Sequence, residues 1–187
     1  MKKKKNTDGD LVFKPYALKT SSLFLTGDID DKMTEKVGRF LSAVSDEINT
    51  VDVYVDSFGG TTGSARSICY LLKSSGKKIK TIGLSNVISA GITIFLSGEE
   101  KIVTSETHFM FHEIQIELSG SMSRTKKDIE TYKREEDWYL QWIVKNTSLT
   151  MKELKKILES DEEYFFDIEE ARGYGMVDGV LQMKGVK

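Results

Sequence analysis

From Ser22 onward, apolar residues fall alternately into short runs and helical stripes. Leu23-Phe24-Leu25 predicts a short buried strand turned by Gly27-Asp28. Residues 33–48 carry Val37, Phe40, Leu41, Val44 and Ile48 at the spacing of an amphipathic helix. Residues 51–55 predict a strand, Gly59-Gly60 a break, and residues 64–73 a helix with Ile68, Leu71 and Leu72 inward. A third strand is expected at 79–84, then a short, very apolar helix at 89–96 and strands at 101–103 and 109–112. Residues 122–144 form the longest predicted helix, with Ile129, Tyr132, Tyr139 and Ile143 on one stripe. A helix at 151–158, the apolar Tyr164-Phe165-Phe166, a short helix near 169–172 and a last strand at 177–181 follow.

Strands alternating with helices argue for an α/β layered fold. Strand, turn and helix recur with similar dimensions from Leu23, Val51 and Ile79, which suggests a stacked right-handed spiral of such units. No Pro/Ser-rich linker divides the chain, so residues 21–187 are expected to form one domain behind an arm at 1–20. Four lysines and a polar stretch, Asn6 to Asp10, open that arm; a solvated tail is the simpler reading, electrostatic docking the alternative. The basic start resembles the first part of a signal peptide but lacks the apolar segment that should follow.

Composition narrows the function. With 187 residues and 39% hydrophobic content, the chain can bury one good-sized core. The 27 basic and 29 acidic residues leave a formal charge of −2, with no one-signed field to favour nucleic acid. No apolar run approaches the roughly 20 residues that span a bilayer, and a cytoplasmic protein is expected. One cysteine, Cys69, excludes an internal disulfide and a multi-cysteine zinc site, and its helical apolar context reads as a packed thiol.

Three stretches carry chemistry. After the strand at 51–55, Gly59-Gly60 lets backbone approach a ligand and leaves amides at a helix start, where an oxyanion or phosphate can bind. A tight connection explains the same pair, and the nucleotide-binding glycine patterns are absent. Ser89-Ala90-Gly91 opens the apolar helix; Ser89 is either an N-cap or a nucleophile beside helix-start amides. His108 and His112 are the only histidines, and alternate residues of a strand share a face, so a two-histidine metal site is conceivable but lacks a third ligand. A histidine base must be one of these two.

The order strand–Gly–Gly–helix, Ser-x-Gly on an apolar helix, then Met110-Phe111-His112 at a strand end resembles the proteolytic-subunit family of Clp protease, within the ClpP/crotonase superfamily. Phe24-Leu25-Thr26-Gly27 and the segment from Asp167 through Ala171 and Tyr174-Gly175-Met176-Val177-Asp178 agree with it, and the similarity runs from Leu23 to Leu181. The resemblance implies a ClpP/crotonase-like right-handed spiral of β-β-α units with a protruding long helix. It implies a serine endopeptidase with Ser89 as nucleophile, His112 as base, and the amides of Gly60 and Ala90 as oxyanion hole, with no cofactor or metal. The third member falls on Glu163, with Asp161 as the alternative.

It also implies unfolded polypeptide substrates, two stacked seven-membered rings joined through the long helix, and an ATP-driven unfoldase as partner. Trp138, Trp142 and Ile143 exceed what one small domain needs for its core, which also points to an oligomeric contact. Three departures bear on cleavage preference: Phe58 before Gly59, Glu113-Ile114 after His112, and a strand after the histidine whose glycines are reduced to Gly120. The rivals are a non-catalytic ring subunit, a phage-type maturation peptidase acting on one assembly protein, and a crotonase-type acyl-CoA enzyme. The serine–histidine pair counts against the first and the last.

Overall fold

The computed structural model describes residues 20–160 and 163–181. Asp161 and nearly all of the expected arm therefore lie outside the described residues. In chain order the elements are β1 (Thr20–Thr26), α1 (Asp31–Ala43), β2 (Thr50–Ser57), α2 (Thr62–Ser74), β3 (Lys78–Ile88), α3 (Ala90–Phe95) and β4 (Glu100–Val103). Then come β5 (His108–Phe111), α4 (Met122–Asn146), α5 (Met151–Ser160), β6 (Tyr164–Phe166), α6 (Ile168–Gly173) and β7 (Gly179–Val180).

The strands run β1-β2-β3-β4-β7, all parallel, as crossover helices require. β3 has two partners. Lys80–Gly83 pair with β4, whereas Asn86–Ile88 pair with β5, to which β6 adds antiparallel. The sheet thus divides along one strand, and the second branch carries the site. β2 shows why its sequence alternates: every second residue from Val51 to Ser57 is buried. Its apolar face and that of α2 (Ala65, Ile68, Cys69, Leu72) meet in one core with Ile92, Ile94 and Phe95 of α3.

Two elements depart from expectation. α1 ends at Ala43 rather than Ile48, because Val44 turns extended at ψ 130° and the polar Ser45-Asp46-Glu47 forms the loop. β3 continues to Ile88 instead of stopping at Leu84. Between the pairs Val55–Gly83 and Ser57–Val87, three residues of β3 face one of β2, a bulge. Asp56 Oδ1 accepts the Asn86 backbone N–H at 2.9 Å and its Nδ2 at 3.3 Å, satisfying donors that the bulge lifts off the ladder.

The long helix also corrects a sequence argument. Ile143 is fully buried, Trp142 Nε1 donates to Thr93 O at 2.9 Å, and Trp138 stacks on Trp142 beneath the Arg66 guanidinium. All three are used by this chain's own core, so they are no evidence of an intersubunit surface. The N-terminal half of α4 is the part left uncovered, with Met122 75% exposed. Among the described residues, no helix is long and apolar enough to cross a membrane.

Candidate active site

Ser89 and His112 follow the ends of two neighbouring parallel strands. The β3–β5 register ends at Ile88–Met110, and the Ser89 N–H donates to Met110 O at 2.9 Å. His112 comes two residues later, so backbone pairing alone brings the side chains to the carboxyl edge of the sheet, where ligand sites of α/β folds gather. Ser89 Oγ lies 2.6 Å from His112 Nε2. Beneath the pair, Phe166 of β6 stacks between Phe109 and Phe111 at ring-centroid separations of 5.3 and 4.8 Å, holding β5 in place.

Ser89 is not a capping residue. It adopts φ 55°, ψ −124°, the only non-glycine with positive φ among the described residues, and its side chain makes no cap bond to α3. A strained strand-to-helix turn of this kind lifts the hydroxyl clear of the helix start and toward a ligand. Ala90 is the first residue of α3, so its N–H has no intrahelical acceptor.

The Gly59-Gly60 segment stands against this turn. A β-carbon at Gly59 would lie 2.8 Å from Ser89 Cβ, and Gly59 and Gly60 have φ of +107° and +149°. Ser57 Oγ donates to Gly27 O at 2.6 Å and accepts the Gly59 N–H at 3.0 Å, which sets the segment's course. Ile29 N–H donates to Gly59 O, and Ile29 O accepts the Thr61 N–H. In such a parallel bridge the intervening residue turns its own N–H to the opposite side. For Gly60 that side is the cavity it shares with Ser89, Ala90 and His112. The helix-start role expected of this glycine pair belongs instead to Thr61, whose Oγ1 caps α2 by accepting the Ser64 N–H.

His112 Nδ1 is buried and has no partner among the described residues. Glu163 stands one residue beyond the last β5–β6 pair, Phe111–Tyr164, hence across from His112, but its side chain is exposed and makes no hydrogen bond to Nδ1. His108 lies at the far end of β5, exposed, beside a separate cavity with Phe165 and Asp167. The two histidines do not converge, and no group of three or more His, Cys, Asp or Glu suited to a metal occurs among the described residues. Cys69 is the packed thiol its context predicted: fully buried, it donates to Thr93 O at 3.2 Å, and burial pushes its pKa up to about 12.

The cavity, about 600 Å³, has a wall that the sequence reading missed. Asp128, Thr131, Tyr132, Glu135 and Tyr139 of α4 line it opposite Phe58 and Gly60. Their spacing of three and four residues is a helical stripe, and Tyr132 and Tyr139 belong to the stripe that the sequence predicts for this helix. The polar members Asp128 and Glu135 on the same stripe were the signal.

Comparison with known proteins agrees over nearly the whole chain. The family model described as Clp protease matches residues 8–184. The chain is similar to "ATP-dependent Clp protease proteolytic subunit 3" of Rhizobium etli, 31% identical over 170 residues, covering 87% of this chain and 84% of the relative. It is likewise similar to "ATP-dependent Clp protease proteolytic subunit 2" of Pseudomonas aeruginosa, 27% identical over 175 residues with 89% and 83% coverage. With its parallel sheet, its helices and these matches, the chain belongs to the Clp protease family and is a serine peptidase of the Clp type.

Proposed function

We propose that this chain hydrolyses peptide bonds of unfolded polypeptides by acyl transfer through Ser89. The observation that carries the assignment of residues is the 2.6 Å approach of Ser89 Oγ to His112 Nε2 at a strained turn. His112 Nε2 takes the hydroxyl proton as Oγ attacks the carbonyl carbon. The N–H groups of Gly60 and Ala90 hold the developing oxyanion, a contribution of about 10²–10³ in rate for one such donor. His112 then gives the proton to the leaving amine, and a water activated by the same nitrogen releases the acyl group.

While Nε2 exchanges protons, Nδ1 must carry a hydrogen and needs an acceptor to stabilise imidazolium. The unpartnered Nδ1 marks where that acceptor belongs. Glu163 is our assignment, supported by its place across from His112, and Asp161 is the alternative.

The relatives are named as subunits of an ATP-dependent protease. The same arrangement is proposed here: a homo-oligomeric chamber of two stacked seven-membered rings in the cytoplasm, fed by an ATP-driven unfoldase. The uncovered N-terminal half of α4 supports a contact between rings. The deciding experiment is fluorophosphonate labelling with peptide mapping, on wild type and Ser89→Ala. Label at Ser89, with cleavage abolished in a variant that still folds and assembles, is expected; undiminished cleavage by Ser89→Ala would refute the assignment.

A further inference from the structure

The α4 wall of the active-site cavity carries polar groups: Asp128, Thr131, Glu135 and the Tyr139 hydroxyl. Glu135 Oε1 accepts from Arg66 Nη2 at 2.8 Å, but Oε2 is buried and has no partner among the described residues. One turn along, Tyr139 is 4% exposed and its hydroxyl is also buried without a partner among the described residues. Burial holds the Tyr139 phenol above its ordinary pKa, so it remains a neutral hydroxyl able to accept or donate. Asp128, two turns before Glu135, adds a second carboxylate to the lining, and no Lys or Arg is among the described lining residues. Arg66 and Arg124, neither of them a lining residue, pair with these carboxylates, Arg124 at 3.7 Å from Asp128.

Resting on the peptidase reading above, the geometry points to a specificity subsite for a long cationic side chain, Arg or Lys, on the residue that supplies the attacked carbonyl. That residue's side chain enters the cavity that Ser89, Gly60 and Ala90 share with Glu135 and Tyr139. An aliphatic occupant would leave the Glu135 oxygen and the Tyr139 hydroxyl buried and unpaired, which is costly. Arg brings five N–H donors and Lys three for the unpartnered oxygen of Glu135, and the charge of either is favoured by Asp128, whose ion pair with the exposed Arg124 is long at 3.7 Å. The aliphatic stem of such a side chain suits the apolar remainder of the wall, Ile114 and the Tyr132 ring.

The test uses the assembled protein and fluorogenic peptides that differ only in Arg, Lys or Leu before the scissile bond. Wild type is expected to favour Arg and Lys over Leu in kcat/KM by at least about tenfold, the scale of one charge-assisted hydrogen bond. Glu135→Gln keeps the shape and should lower the Arg-to-Leu ratio about tenfold. Tyr139→Phe removes one oxygen and should lower the same ratio severalfold, so it serves if Glu135→Gln does not fold. A merely structural role for either residue would depress all three peptides together and leave the ratio in place, and that result overturns the inference. So does a wild-type preference for Leu. Fluorophosphonate labelling separates the two levels. A labelled Ser89 with Leu preferred sinks the subsite and spares the peptidase, whereas no label and no cleavage of any peptide refutes both.

Discussion

A single methyl group at Gly59 should disarm the nucleophile from across the loop. The added Cβ would lie 2.8 Å from Ser89 Cβ, 3.0 Å from Ser89 Oγ and 3.2 Å from Ile88 O. Real contacts of this kind sit near 3.5–4.0 Å, so one partner must retreat by most of an ångström. The loop has little room to yield, because Ser57 Oγ and Ile29 pin it on its other side. Ser89 already sits in a strained conformation and is the softer partner. Its hydroxyl would be pushed from the 2.6 Å contact with His112. A misplacement of about 1 Å at a reacting group costs about 10² in rate. The φ of +107° adds about 1–2 kcal/mol of backbone strain, worth roughly 2–8 °C in melting temperature for a chain this size. Gly59→Ala should therefore lose about two orders of magnitude in kcat/KM on a fluorogenic peptide and label slowly with fluorophosphonate, while still melting cooperatively. Gly38→Ala, where a β-carbon meets nothing within 4 Å, is the matched control. Activity of Gly59→Ala within a few-fold of wild type would refute the idea that the glycine exists to admit Ser89.

Glu163→Gln should lower kcat by about 10²-fold or more with little change in melting temperature, and Asp161→Asn should be nearly neutral; the reverse ranking moves the acid to Asp161, and two neutral results leave His112 without a carboxylate from this loop. Cys69 should resist iodoacetamide in the native protein and react on unfolding. Its thiol pKa rises from 9.0 to about 12 on folding, so the native state holds the extra proton between those values. Stability is therefore complete below pH 9 and declines toward pH 12, with a slope of about 1.4 kcal/mol per pH unit from this group. Cys69→Ala should show a shallower alkaline decline in denaturant midpoints, and an equal slope would contradict the assignment. Mass photometry should find a particle far above the 21.1 kDa chain; a persistent monomer at micromolar concentration would remove the ring arrangement.

The residue pattern predicts the layered α/β fold and singles out Ser89, His112 and the Gly59-Gly60 pair as candidates. The reason is that these signals are local. A strand that buries one face alternates, as β2 does; a helix repeats near every third or fourth residue, and glycines punctuate both. What sits across from a given face is another matter, since it depends on which distant segment packs there. The sequence predicts that the third strand stops at residue 84, because nothing near Asn86 shows that Asp56, thirty residues earlier, satisfies the Asn86 amide and lets β3 run on to Ile88. Ser89 satisfied the local rule for a cap equally well; only the pairing of β3 with β5 and the close approach of Gly59 select the strained turn instead. Likewise Trp138, Trp142 and Ile143 read as surplus apolar surface until α4 is seen lying over Thr93. The same crossing turns Glu135 and Tyr139, which periodicity assigns to a helix face and no more, into a wall of the cavity beside Ser89. Periodicity reports that a face is covered. Chain topology decides by what, and the chemistry of this site depends on that choice.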